Sequence, residues 1–181
     1  MEEFNTIDKA EELFRNVGDV SEKKYMFFAF YDTTKEAMTA GVVGGALGGA
    51  GLIGGAIAGA VVGATKRNSN IAEEVNKRRD GYLLKWTSSG IGIIPLNNDG
   101  VMWSFSSAKL KVDLTSYFFV SNEEIKNIIV KNYNVFNKSI KKIKVVLQND
   151  QKLCMIARMN EKSVPYQTEN LAKFVEQYQN K

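Results

Sequence analysis

No histidine occurs anywhere in the 181 residues, so the usual general base, zinc ligand and activator of a nucleophile are missing together. A single cysteine, Cys154, excludes a disulfide framework and any multi-cysteine metal site. Two prolines in the whole chain favour long regular elements over rigid loops. Charge is absent from Ala37 to Thr65. A secretory signal is not expected either, because the N-terminus is acidic and the apolar run starts too late and is too long. Together these gaps point to a protein that is not an enzyme, and neither a cofactor nor a metal is expected.

What fills the uncharged stretch is glycine. Its core, Gly41 to Gly63, reads GVVGGALGGAGLIGGAIAGAVVG and holds ten of the fifteen glycines of the chain. Gly41, Gly45 and Gly49 form one series at spacing four, and Gly51, Gly55, Gly59 and Gly63 form a second. That spacing lays each series along one helix face, where the missing side chain lets another backbone approach closely. Each glycine costs about 1 kcal/mol against alanine in a helix, so close packing, in or against lipid, is what gives the pattern a purpose.

Three geometries are open for this segment. As one helix, Ala40 to Ala64 would be about 37 Å long, enough for a hydrocarbon core of about 30 Å. As a hairpin turning near Gly49 to Gly51, each arm would be about 18 Å and could not cross. A helix pair packed on protein in water is the third. The two glycine series fall out of phase at the possible turn, which favours the hairpin with its two glycine faces together. Nucleotide binding is the competing use of so many glycines. Gly49-Ala50-Gly51-Leu52-Ile53-Gly54 does match G-x-G-x-x-G, with Glu73 and Glu74 about twenty residues on. The place of the required buried strand is taken by Gly41, Gly44, Gly45 and Gly48, however, and glycine makes a poor strand. Gly63-Ala64-Thr65-Lys66 only approximates a phosphate loop.

Charge is distributed unevenly. Met1 to Glu36 holds five basic and nine acidic residues, whereas Thr65 to Lys181 holds nineteen basic and eleven acidic. For a single span this would leave the C-terminal part in the cytoplasm. The expected location is the cytoplasmic face of a membrane, or else the cytoplasm. Lys66, Arg67, Lys77, Arg78 and Arg79 crowd the exit of the glycine segment, where they either meet anionic lipid heads, at roughly 1 kcal/mol each, or form a solvated helix face. Lys138, Lys141, Lys142 and Lys144 make a second basic group. No aromatic platform is interleaved with them, which argues against nucleic acid, and they read instead as lysines guarding a strand edge.

Element signals divide the rest. Phe4, Ile7, Ala10, Phe14 and Val17 share one helical face, ended by Gly18, so an amphipathic helix is expected within residues 1–20. Tyr25 to Tyr31 (YMFFAFY) reads as a buried strand. Asn70 to Arg79 reads as a short polar helix. Tyr82 to Trp86, Ile91 to Leu96, Val101 to Phe105, Tyr117 to Val120, Ile143 to Leu147 and Leu153 to Met159 read as strands, with turns at Asn97 to Gly100 and Asn149-Asp150. Ile125 to Val130 is ambiguous: Ser121 and Glu124 could cap a helix, yet Ile128 and Val130 also alternate. After Pro165, the stripe Leu171, Phe174, Val175 and Tyr178 marks a final helix. Cys154, Trp86 and Trp103 are expected in the core.

This order predicts an α+β fold: six or seven antiparallel strands in a small barrel or strongly bent sheet, plugged by the terminal helix. The strand order, the GIGIIPL strand (Gly90 to Leu96) and the PYQTENLAKFVEQY helix (Pro165 to Tyr178) resemble bacterial pleckstrin-homology-like (PH-like) domains. The resemblance covers about Tyr82 to Tyr178, and the domain is expected from residues 25–36 and 68–181. It implies a binding or scaffold role, often at membranes, without catalytic residues. Residues 37–65 are separately similar to the glycine-zipper segments of membrane-associated bacterial proteins. The reading is a membrane-associated scaffold that self-assembles through the zipper, with lipid or an unknown protein as partner. A soluble adaptor whose glycine helices pack protein on protein is the alternative.

Overall fold

The computed structural model describes residues 3–32, 71–72, 75, 80–98 and 110–179. Among them the chain is an α+β fold built on one open antiparallel sheet. Its elements are α1 (Ile7–Asn16), β1 (Lys23–Tyr31), β2 (Gly81–Thr87), β3 (Gly90–Asn98), β4 (Leu110–Val112), β5 (Phe118–Ser121), β6 (Ile125–Asn132), β7 (Ile140–Leu147), β8 (Lys152–Arg158) and α2 (Gln167–Tyr178). The sheet order is β4-β3-β2-β1-β8-β7-β6, and β5 pairs with the other half of β3 beside β4.

Two cores form, one on each face of β1–β3. Alternation in β1 sends Phe27 and Ala29 to one and Met26, Phe28 and Phe30 to the other. Both faces being covered explains why β2 reads as an unbroken buried run instead of alternating. The first core gathers residues from both ends of the sheet, Ile93 and Val120 beside Val130 and Ile143, around Phe174 of α2. Phe174 lies 4.5 Å from Trp86 and 5.0 Å from Phe27, ring centre to ring centre. The second core is roofed by Phe4, Ala10 and Phe14 of the N-terminal region, so the amphipathic face predicted there docks on the domain. β7, by contrast, buries every second residue and leaves those between them half-buried.

α2 is stitched into a gap in the sheet. Among the described residues β1 and β8 pair at Phe30↔Ile156 and Tyr31↔Met155 only, and the preceding stretch of β1 has no described strand beside it on that side. Gln167 takes that place: its Oε1 accepts from Phe28 N at 2.9 Å, while its Nε2 donates to Phe28 O at 2.9 Å and to Arg158 O at 3.1 Å. One turn further on, Asn170 Oδ1 accepts from Met26 N at 3.0 Å. Side-chain amides thus do what a neighbouring peptide would do in a ladder.

Several sequence expectations change here. Ile125 to Asn132 is strand β6, and the Ser121/Glu124 capping box is real but closes only a single 3₁₀ turn, Asn122–Glu124. Asn97 and Asn98 extend β3 and pair with Lys111 and Leu110, so the turn expected to start at Asn97 does not. Val101 to Phe105, with Trp103, lies outside the described residues. The lysines of β7 guard no edge, because β7 is paired on both sides and β6 is the outer strand. The expected polar helix has an apolar side: Ile71, Ala72 and Val75 are helical, and Ala72 and Val75 are buried.

Candidate functional site at the root of the inserted segment

β1 and β2 are antiparallel neighbours in register from Tyr25↔Trp86 to Phe30↔Gly81. The whole glycine segment therefore belongs to the connection between two paired strands, and the chain leaves and re-enters the sheet at adjacent positions. Both ends are gripped. On the outgoing side Asp32 is 5% exposed, its N–H donates to Cys154 O at 3.1 Å, and its carboxylate faces Lys142 Nζ at 3.7 Å. On the return side Ala72 and Val75 enter the first core, and Tyr82 Oη donates to Val75 O at 3.3 Å. Gly81 is required at the junction, since a Cβ there would lie 2.9 Å from Ala29 O.

The residues predicted to act are not among those described. Gly41, Gly45, Gly49, Gly51, Gly55, Gly59 and Gly63, and the basic residues Lys66, Arg67, Lys77, Arg78 and Arg79, all fall outside the described residues. So do the segment's own boundaries at 37 and 65. Among the described residues no helix is long and apolar enough to cross a membrane, and no group of three or more Cys, Asp or Glu could hold a metal ion.

A second polar cluster carries no advance signal of its partners in the sequence. α1 ends in a Schellman stop: Gly18 takes φ 86°, its N–H donates to Arg15 O at 2.9 Å, and Asp19 N donates to Phe14 O at 2.8 Å. That turn delivers Asp19 onto β2, where Lys85 Nζ donates to Asp19 O and Oδ1, each at 3.1 Å. Tyr117 Oη donates to Asp19 Oδ2 at 2.9 Å, and the N–H and hydroxyl of Ser21 donate to Oδ1. Lys85 also sits 5.4 Å from the Phe14 ring centre. Burial raises the Asp19 pKa, but the bonds from Ser21, Lys85 and Tyr117 outweigh it and hold the carboxyl below its ordinary value. Burial and the facing Asp19 charge push the Tyr117 phenol far up.

Chemically this cluster is closed. Every oxygen of Asp19 is engaged, and its partners are fixed by it. The adjoining cleft, of about 280 Å³, is lined by Glu11, Arg15, Lys23 and Lys85 among others. Glu11 already pairs with both Arg15 and Lys23. The arrangement locks the α1–β1 junction onto β2, β3 and the start of β5; it does not present a reactive group. The one hint in the sequence is Lys85 standing inside the apolar run GYLLKWT, and nothing there names its partner.

No protein-family model matches the chain, and no curated protein and no solved structure shows significant similarity to it.

Proposed function

We propose that this protein is a non-enzymatic, membrane-associated scaffold in which a PH-like domain carries an inserted glycine-zipper hairpin at residues 37–65. The observation that carries the reading is the Phe30↔Gly81 pairing. A segment that starts and ends at adjacent strand positions returns to the side it left, which suits a hairpin and opposes a single span. Antiparallel strands around an amphipathic terminal helix support the PH-like assignment of the domain. Its role is to hold the hairpins of several copies at the bilayer, where Gly-on-Gly contacts join them, and to bind a partner.

Flotation with anionic liposomes tests the membrane half: purified protein is expected in the light fraction, and protein left at the bottom would sink the idea. Replacing Gly55 and Gly59 with Leu is expected to abolish homo-oligomers seen by cross-linking. Unchanged oligomers would remove the zipper mechanism. Release of a trapped dye during the same experiment would show that assembly opens the bilayer.

A further inference from the structure

The β6–β7 hairpin projects an apolar apex above a basic base. In its loop, Val135 is 82% exposed and Phe136 98% exposed, and Tyr133 beside them is 40% exposed. Single exposed apolar residues are ordinary; three within four positions at the tip of one loop are not. The tip is also held in shape. Asn134 Oδ1 accepts from Phe136 N at 3.0 Å and from Asn137 N at 2.6 Å. Asn137 Oδ1 accepts from Ser139 N at 3.2 Å and from its hydroxyl at 2.7 Å. Tyr133 N donates to Ile140 O at 2.8 Å, and Met159 N donates to Ser139 O at 2.7 Å. These bonds hold the loop backbone and leave the side chains of Val135 and Phe136 to solvent.

Below the tip the charge is of one sign. From Ile125 to Asn149 the chain has six lysines and no acidic residue. Lys131 stands directly opposite Lys142 in the register, an arrangement that weakens a sheet. Lys138 adds to the crowding, since burial and the Lys138 charge together lower the Lys141 pKa. Edge protection does not account for Lys141, Lys142 and Lys144, because β7 is an interior strand, whereas Lys126 and Lys131 lie on the outer strand β6. Lys126 and Lys142 have acidic neighbours in Asp150 and Asp32, and Lys131 and Lys138 are exposed close to the apex.

We propose that this hairpin docks on an anionic bilayer surface, with Phe136 and Val135 entering below the headgroups and Lys131 and Lys138 against the phosphates. The layering matches an interface, where apolar atoms lie deepest and ammonium groups reach the polar zone. A second copy of the chain is a poor occupant, because the exposed Lys131 and Lys138 of each copy would crowd like charges around the contact. The proposal rests on the membrane-associated reading and gives it a second contact, independent of the glycine segment.

The test uses the full chain and sedimentation with vesicles of phosphatidylcholine alone or with about a third phosphatidylserine. Binding to the anionic vesicles is expected, with weak binding to the neutral ones. Val135→Ser/Phe136→Ser, which alters only exposed positions, should weaken it roughly tenfold or more. Lys131→Gln and Lys138→Gln should each weaken it about fivefold, with added salt removing the difference. A Phe136→Trp variant should be quenched by lipids brominated along the acyl chain. If wild type binds and the serine variant binds equally, the hairpin is not a contact and the membrane reading stands on the glycine segment alone. If wild type binds neither vesicle, both fall together. Equal binding to neutral and anionic vesicles overturns the lysine contacts. A dimer formed without lipid and lost in the serine variant would make the apex an interface between copies instead.

Discussion

At the scale of single residues, the strongest constraint is the Asp19–Lys85 pair, both partners almost fully buried. Replacing such a pair by apolar residues is often neutral, whereas removing one partner strands the other charge. Lys85→Met is therefore expected to cost about 3–5 kcal/mol, read from the midpoint of a urea transition. Gly92 is part of the same lock, since a Cβ would stand 2.7 Å from Asp19 Oδ2 and 3.2 Å from Phe14 Cε1. Gly92→Ala should cost about 1–3 kcal/mol through overpacking. The pH dependence has a definite sign. Because the folded-state pKa of Asp19 lies below the ordinary 3.8, its stabilisation is complete above that value and fades as pH falls through the folded pKa. The gap in stability between wild type and Asp19→Asn should thus be constant near neutrality and narrow below about pH 4; a gap that widens on acidification would contradict the assignment.

At the scale of elements, the most informative is α2, whose polar side proves as important as its apolar stripe. Leu171 and Phe174 enter the core as their spacing implies. Gln167, fully buried, occupies a hydrogen-bonding role no periodicity would suggest. Gln167→Ala leaves the Phe28 N–H and C=O without these partners, at a cost of about 2 kcal/mol or more. Amide exchange at Phe28 should quicken in that variant, and unchanged protection would show that the gap closes without the helix. β6 and β7 teach a related lesson. The same Ser121/Glu124 signature would serve a helix or one turn, and pairing settles the competition, because Ile125 to Asn132 finds β7 as a partner. Lysines on β7 resemble edge protection because strand order across the sheet is not written in local sequence. The apex Tyr133–Phe136 is hidden for the opposite reason: short apolar runs usually go inside, and only the folded hairpin leaves this one out.

At the scale of the whole molecule, the glycine segment belongs to the connection between two strands, β1 and β2, that pair directly with each other. Bridging Asp32 to Ile71 by a short glycine-asparagine loop should leave the sheet folded, because loop length changes the closure cost by only about 0.6 kcal/mol per doubling. Cooperative thermal unfolding and a β-rich circular dichroism spectrum are expected to survive, while oligomers disappear. Loss of the fold would mean that the segment is structural, contrary to the scaffold reading. The same shortened chain should still bind anionic vesicles through the β6–β7 apex, though more weakly than the full protein.

Much was legible before folding because it depends on neighbours along the chain. Helical spacing in α1 and α2, the aromatic run of β1, the stop at Gly18 and the turn at Asp150 are local matters of side-chain periodicity and backbone preference. The α+β class follows from their order, and the glycine spacing follows from sequence alone. What only the tertiary structure decided are relations between distant residues: that β1 lies between β2 and β8, that Lys85 finds Asp19, that Gln167 stands in for a strand, and that β7 is interior. Those pairings are selected by how two apolar faces of one sheet can be covered at once, a condition on the whole chain that no window of sequence contains.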